Sequence, residues 1–301
     1  MSKKVADAAF IIKKVFAELI AGLIPNKMAR NRWRGILRYG LIRALILLWR
    51  IRNNKTAPKY YLTVCAIAKN EGPYFEEWIE WHRKMGVEKF YIYDNESTDN
   101  TKEILAPYIE SGLVEYIYFP GKRRQLPAYD NCFEKNRFEA RWIAVIDLDE
   151  FIFPIQDKNI PEFLKRFEDY SVVEINWLIY GSGGAKEKTQ GGVMERFKRH
   201  SVPNHYLNKH VKSIINPRYV FNMIGCHEAA KISGQAADSH RNPIKKYFRN
   251  RPPQQDVIRI NHYAVKSYAE SIEKLARGKA NSFTQYEDIY IKKYDLNDIE
   301  E

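Results

Sequence analysis

The chain has 301 residues, of which 45% are hydrophobic and 14% aromatic, and this composition excludes a disordered or low-complexity protein. Residues 1–57 hold 13 Lys and Arg against Asp7 and Glu18, and the remainder holds 36 basic and 35 acidic residues, so the formal charge of +12 belongs almost entirely to the first segment. The neutral body argues against nucleic-acid binding.

Residues 1–57 are predicted to be a basic amphipathic helical leader. Apolar residues recur at helical spacing at Phe10, Ile11, Ile12, Val15, Phe16, Leu19 and Ile20, and again at Leu37, Leu41, Ile42, Leu45, Leu48 and Trp49. The apolar stretches are too short and too often interrupted by Arg for a signal peptide or a membrane span. We expect the leader to bind an anionic membrane surface. The alternative is a helical hairpin packed on the body.

A polar segment, residues 53–58, separates the leader from a body in which strands and helices alternate. The predicted strands are 61–67, 90–93, 113–119 and 142–146, and the predicted helices are 73–85, 99–110 and 128–141. Pro73 and Gly86 mark the two ends of the first of these helices. This alternation predicts an α/β fold with a parallel sheet and right-handed crossovers.

The regular alternation weakens after Asp149. Glycines between residues 181 and 192 predict loops around Trp177, and the runs 211–215 and 220–224 predict inserted β-structure. Residues 262–278 are predicted to be a helix or helix-turn, and the charged tail from Phe283 a surface helix. The three cysteines, Cys65, Cys132 and Cys226, are widely spaced and predict buried thiols in a reducing compartment.

Polar side chains follow three of the predicted strands: Lys69-Asn70-Glu71, the segment 94–99, and Asp147-Leu148-Asp149. Ligands of open parallel sheets bind beyond the carboxyl ends of the strands. Side chains alternate along a strand, so Asp147 and Asp149 are expected to share one orientation. Two like charges there need a compensating cation, and carboxylates at this spacing suit Mg²⁺ or Mn²⁺. The alternatives are an acidic surface turn at 147–150 and an Asx-type turn at 94–99.

Residues 60–280 resemble a known family. The motifs are AIAKNEGPYFEEWIEWH (66–82), YDNESTDNT (93–101), the segment 125–130, DLDEF (147–151), NWLIYGSGG (176–184), ERF (195–197), KSIINP (212–217) and NHYAVKSYAE (261–270). They are similar to GT-A glycosyltransferases of the broad family-2 type, and most similar to bacterial members of glycosyltransferase family 92. The resemblance implies a GT-A, Rossmann-like, mostly parallel sheet flanked by helices. It divides residues 58–282 into a nucleotide-binding half (58–153) and an acceptor half (154–282), followed by a tail (283–301).

The resemblance also implies site residues. Asp94 would contact the nucleotide base or ribose, with Asn70 and Glu71 in the same pocket. Asp147 and Asp149 would form a DxD pair, in which Asp149 binds Mn²⁺ or Mg²⁺ and Asp147 orients the ribose or the metal. His262 would be a further ligand of the metal, and Lys266, one helical turn later, would neutralise the charge of a phosphate. The alternative for His262 is a core or helix-capping histidine.

The resemblance implies inverting transfer of a sugar from a UDP-hexose to a saccharide acceptor. The amphipathic leader suggests a lipid-linked saccharide as the acceptor, in cell-surface polysaccharide or lipopolysaccharide synthesis. Inversion needs a carboxylate base, for which Glu195, Glu228 and Asp238 are the candidates in that order. The Asn95-Glu96-Ser97 sequon would lie in the nucleotide cleft. A glycan there would block the cleft, which favours a cytoplasmic protein, peripheral on the inner face of the cell membrane.

Three rival interpretations are weaker. A haloacid-dehalogenase-type phosphatase needs Thr or Val at the position of Phe151, and carries its Asp pair on the first strand. A sugar nucleotidyltransferase needs a Gly-rich basic loop after the first strand, of which KNEGP (69–73) is a poor version. A non-enzymatic membrane- or nucleic-acid-binding protein is supported by the leader alone.

Overall fold

The computed structural model describes residues 15–25, 27–245, 247–277 and 288–301. The predicted apolar positions Phe10, Ile11 and Ile12 and the start of the predicted tail at Phe283 lie outside these ranges. The helices are α1 (residues 15–22), α2 (Lys27–Tyr39), α3 (Leu41–Asn53), α4 (Gly72–Lys84), α5 (Thr101–Glu110), α6 (Gln125–Asn136), α7 (Ile160–Leu164), α8 (Val193–Arg196), α9 (Tyr268–Arg277) and α10 (Asp288–Tyr294).

One large mixed sheet organises the described residues. Its strands are β1 (Tyr60–Ala68), β2 (Lys89–Asp94), β3 (Val114–Tyr118), β4 (Ala140–Val145), β5 (Glu150–Pro154), β6 (Val172–Ile179), β8 (Val211–Ile215), β11 (Ala236–Ala237) and β12 (Ile258–His262). Within the described ranges, four short strands lie outside it: β7 (Arg199–His200), β9 (Val220–Met223), β10 (Ala229–Lys231) and β13 (Ile299–Glu300). The strand order is β3-β2-β1-β4-β8-β6-β12-β5, with β11 paired to β6.

The first half of this sheet is parallel, because helices carry the chain back between β1, β2, β3 and β4. The second half is mixed: β8 runs antiparallel to both β4 and β6, β12 runs parallel to β6, and β5 runs antiparallel to β12. The predicted α/β fold, with a mostly parallel sheet flanked by helices, is confirmed.

Helix α4 shows how local signals place the site. Pro73 lies in its first turn, and Gly86, at φ +96°, follows its last residues. Its inner face is buried against the sheet, and Trp78 Nε1 donates to the carbonyl of Glu150 at 2.9 Å. His82 Nε2 accepts from the Ile152 amide at 3.2 Å. The helix therefore holds β5, and with it Glu150, beside the ends of the parallel strands.

Three predicted elements were wrong. The helix predicted at 128–141 is α6, which starts at Gln125 and ends at Asn136, because pairing with β1 draws Ala140 and Arg141 into β4. Trp177 lies within β6 and is buried, whereas a loop was predicted. His262 ends β12, which is paired on both edges, and the helix begins only at Tyr268.

Part of the leader packs on the body. Ala44 and Leu47 of α3 form a small apolar cluster with Phe221, Ala230 and Ile232 of the β9–β10 hairpin. The alternative prediction, a packed helical hairpin, therefore holds for one face of α3. Among the described helices, none combines the length and apolarity needed to cross a bilayer.

Candidate active site at the strand ends

Asp149 lies in a buried cluster at the end of the parallel strands. Its carboxylate, the Glu150 carboxylate and a ring nitrogen of His262 all lie within 4.8 Å of one another. Asp149 lies in the turn between β4 and β5, Glu150 begins β5, and His262 of β12 pairs with Glu150. Asp149 Oδ2 and His262 Nε2 are 3.5 Å apart.

This donor set fits a divalent cation. Among the described residues, Glu150 Oε1 and His262 Nδ1 are buried atoms without a hydrogen-bond partner. An unpartnered buried acceptor such as Glu150 Oε1 is costly unless something binds it, and the His262 nitrogen that faces Asp149 is Nε2. Carboxylate oxygens and a neutral imidazole are suitable ligands for Mn²⁺, and carboxylates also for Mg²⁺. Burial lowers the pKa of His262 despite the neighbouring Asp149, which favours the neutral ring that a metal requires.

Lys274 neutralises Asp149 in the structure. Its Nζ lies 2.5 Å from Asp149 Oδ2 and 2.8 Å from the carbonyl of Ala264. Burial alone would raise the pKa of Asp149, but Lys274 and His262 outweigh it and hold that pKa well below its usual value. Asp149 is therefore ionised, as a ligand of a cation must be.

Asp147 has a different set of partners. Its Oδ1 accepts from Gln125 Nε2 at 3.1 Å and from Tyr129 Oη at 3.3 Å, and its Oδ2 accepts from Lys212 Nζ at 2.6 Å. β4 ends at Val145, before the pair, so strand alternation does not align the two carboxylates. Asp147 keeps 32% of its side chain exposed, against 9% for Asp149. The two carboxylates have different partners, and the expectation of one shared orientation stays a prediction.

A cavity with both basic and acidic side chains adjoins the cluster. It measures about 380 Å³, and its lining includes Asn70, Tyr74, the basic residues Lys188, Lys266, Lys274 and Arg277 and the acidic residues Asp99, Glu270 and Glu273. Lys266 is buried with its Nζ 4.4 Å from the centre of the Tyr74 ring. It lies in a loop at φ +60°, so the predicted position one helical turn after His262 was wrong, although the residue does face the site.

The remaining predicted nucleotide-binding residues lie at the ends of β1 and β2. Asn70 connects the loop after β1 to the loop after β2. Its backbone N–H donates to Ser97 Oγ at 2.9 Å, and its side-chain Oδ1 accepts from the backbone N–H of Thr98 at 2.7 Å. Asp94 is buried and accepts from Tyr116 Oη at 2.9 Å. Glu71 pairs with Arg277, which also donates to the Asn70 carbonyl at 2.8 Å.

The three predicted base candidates lie in different places. Glu195 is exposed on α8. Glu228 lies in the β9–β10 turn, next to His227, whose ring contacts Trp177. Asp238 is buried, and its carboxylate accepts from the amides of His240 and Asn242 at 3.0 and 2.9 Å. The Asp238 carboxylate thus stabilises a tight turn.

Lys212, Lys274 and Arg277 were missed by the sequence reasoning. Lys212 had a detectable signal, since it is the only charged residue in the otherwise apolar and hydroxyl-bearing run VKSII (211–215). The capping box Ser267–Glu270 could have placed α9 correctly: Ser267 Oγ accepts from the Glu270 amide at 3.3 Å, and Glu270 Oε2 accepts from the Ser267 amide at 3.2 Å. Glu270 also pairs with Arg196 at 2.8 Å, which fixes the helix that carries Lys274.

The model of glycosyltransferase family 92 matches residues 60–301. The chain belongs to glycosyltransferase family 92. A family 92 protein of Arabidopsis thaliana is 32% identical over 225 residues, which cover 70% of this chain and 36% of that protein. The galactan beta-1,4-galactosyltransferase GALS2 of the same plant is 29% identical over 191 residues, covering 57% of this chain and 36% of that protein. The chain thus spans about a third of the length of these curated relatives.

S. aureus TarS, solved in complex with UDP, is a weaker structural match to this family 92 chain. Its TM-score is 0.36 and its identity 15%, with 52% of this chain and 47% of that chain covered. The assignment therefore rests on the sequence matches. They confirm the predicted family and the glycosyltransferase class, whereas the bacterial subgroup stays a prediction because the matched relatives are plant proteins.

Proposed function

We propose that the protein transfers a hexose from a UDP-hexose to a saccharide acceptor with the help of Mn²⁺ or Mg²⁺. The observation that carries the proposal is the buried cluster of Asp149, Glu150 and His262 beside a cavity lined by Lys266 and Lys274. An acidic metal site next to fixed positive charge suits a diphosphate and its cation.

Asp149, Glu150 and His262 would hold the cation, which when bound stabilises the negative charge that develops on the departing diphosphate. Lys266 and Lys274 place two further positive charges on the same side and cost no reorganisation during the reaction. Asp147 would orient the ribose, because Gln125, Tyr129 and Lys212 fix its carboxylate. Asn70, Glu71 and Asp94 would line the base and ribose pocket.

The acceptor step is proposed to be inverting, in cell-surface polysaccharide or lipopolysaccharide synthesis. It needs a base that takes the proton of the acceptor hydroxyl. Glu228 is the candidate we now favour, because the neighbouring His227 reaches Trp177, which in turn packs on His262 with ring centres 4.3 Å apart. Glu195 remains the second candidate, and the turn contacts of Asp238 argue against the third.

The test is turnover of a panel of UDP-sugars with and without Mn²⁺, for the wild type and for Asp149→Asn. Asp169→Asn is the matched control, since Asp169 is an exposed carboxylate paired with Arg241 at the surface. We expect metal-dependent turnover that Asp149→Asn lowers by about a hundredfold or more and that Asp169→Asn leaves unchanged. Equal activity in the Asp149 variant would refute the proposal.

A further inference from the structure

Helix α3 has two apolar faces, and the body covers one of them. Ala44 and Leu47 are buried against the β9–β10 hairpin, with Ile51 packed beside them. On the opposite side, Ile42 is 75% exposed, and Leu45 and Trp49 are each 67% exposed. With Ile46, which is also exposed, they form what we call the apolar face of α3.

Basic side chains flank this face. At about 3.6 residues per turn, Arg43 and Arg50 fall on one side of the apolar face and Arg52 on the other. All three are exposed. An apolar stripe bordered by Arg, with a Trp on it, is the pattern of a helix that lies in the interface of a bilayer.

Helix α1 also has a buried and an exposed side. Ala17 and Ala21 are buried, whereas Phe16 and Leu19, and Leu23 just after the helix, are exposed. Glu18 pairs with Arg34 of α2 at 2.7 Å, which ties α1 to the helix that follows it. The leader therefore presents apolar side chains from two helices, although apolar surface of this kind is normally buried or engaged by a partner.

We propose that the apolar face of α3 docks on an anionic lipid bilayer, with α1 as a second contact. The charge of the leader, 13 basic residues against two acidic ones, complements anionic headgroups. A second copy of the chain is a poorer occupant, because pairing two such faces would bring the flanking arginines of both copies together.

Docking would also orient the active site. Helix α3 of the leader contacts Phe221 and Ala230 on the strands of the β9–β10 hairpin, and His227 lies in the turn of the same hairpin. His227 stacks edge-on against Trp177 beside His262. The β9–β10 hairpin therefore connects the helix that would contact the bilayer, α3, with the side chains beside His262. This consequence, which rests on the proposed function, favours a lipid-linked saccharide acceptor and a position on the inner face of the cell membrane.

The experiment is co-sedimentation of the full chain with vesicles of phosphatidylcholine alone and of phosphatidylcholine with phosphatidylglycerol. The variant Leu45→Ser/Trp49→Ser removes apolar contacts, and Arg43→Gln/Arg50→Gln removes flanking charge. The control Ile155→Ser/Val202→Ser alters two apolar residues that are exposed elsewhere on the body. All variants change exposed side chains, and unchanged thermal unfolding verifies that each is folded.

We expect the wild type and the control to bind anionic vesicles, and the apolar variant to lose about tenfold or more in partitioning. The charge variant should show a weaker preference for anionic over neutral vesicles than the wild type. Equal binding of the apolar variant and the wild type would overturn the proposal. The proposal would also be overturned if the wild type did not bind vesicles but sedimented as a dimer, and Leu45→Ser/Trp49→Ser dissociated that dimer. The apolar face of α3 would then bind a second copy of the chain. Binding to vesicles is measured without donor sugar, so the result tests the membrane proposal independently of the proposed glycosyl transfer.

Discussion

Lys274 Nζ lies 2.5 Å from Asp149 Oδ2, so the carboxylate best placed to bind a divalent cation is already in contact with a tethered ammonium group. The lysine is held on α9, whose capping box and Glu270–Arg196 pair fix the helix against the rest of the site. Lys274 therefore does two things at once: it keeps Asp149 ionised and it competes for the same oxygen.

Replacing Lys274 by Met should tighten the binding of Mn²⁺ and slow turnover. The substitution removes a competing positive charge from Asp149, but it also removes positive charge from the diphosphate side of the site. We expect the dissociation constant for Mn²⁺, measured by calorimetry without nucleotide, to fall by about tenfold. Lys165→Met, on the exposed turn after α7, should leave it unchanged. Weaker Mn²⁺ binding in the Lys274 variant would show that the lysine supports the metal site.

Replacing Lys212 by Met should destabilise the fold. Lys212 is fully buried and lies 2.6 Å from Asp147 and 3.4 Å from Glu150. Its loss removes the cation that these two groups share, although burial already raises the pKa of Glu150 well above its usual value. Removing one partner of a buried ion pair costs about 3–5 kcal/mol. We expect a loss of this order in the free energy of unfolding, measured with urea. The double variant Lys212→Met/Glu150→Gln should regain part of the lost free energy of unfolding. If it regains none, the loss does not come from the unpaired Glu150.

Most elements of residues 58–153 could be predicted because their signals are local. The β-branched run at 61–67, the Pro73 and Gly86 boundaries and the acidic motif each fix an element within a few residues of themselves. The lysines of the site could not be placed in the same way. Lys212 and Asp147 are 65 residues apart, and Lys274 and Asp149 are 125 apart. They meet only because β8 inserts antiparallel between β4 and β6, and the capping box starts α9 beside the strand ends. Sequence periodicity does not encode these pairings.

Acid should destabilise the protein well above the range in which carboxylates titrate. Burial lowers the pKa of His82 from 6.5 to about 4, because the ring is enclosed and its two nitrogens are engaged by the Trp78 carbonyl and the Ile152 amide. Burial likewise lowers the pKa of His210 to about 4 and that of His227 to about 3. Below pH 6.5 the unfolded chain binds protons that the folded protein does not, so stability present above that pH is lost as the pH falls towards 4.

The measurement is urea unfolding at a series of pH values between neutrality and pH 4. His82 alone should account for a loss on the order of 3 kcal/mol across this range. His82→Phe should be less stable at pH 7, because the Ile152 amide loses its acceptor at a cost of about 1–3 kcal/mol. Its stability should also depend less steeply on pH than that of the wild type. Parallel pH curves for the two proteins would contradict the assignment to His82.

Gly35→Ala should release the leader from the body without unfolding the sheet. A Cβ at residue 35 would lie 2.4 Å from the Cβ of Ala230, so α2 cannot stay against the β9–β10 hairpin. Ala favours a helix over Gly by about 1 kcal/mol, but overpacking of a fixed contact costs about 1–3 kcal/mol, and the clash therefore dominates. Gly22→Ala is the matched control, because nothing lies within 4 Å of a Cβ at that position of α1. In hydrogen exchange, Gly35→Ala should lose protection in α2 and α3 and keep it in β1 and β4, whereas Gly22→Ala should keep at least the wild-type protection in α2 and α3. Unchanged protection of α3 in Gly35→Ala would mean that its packing on the hairpin does not depend on this close approach.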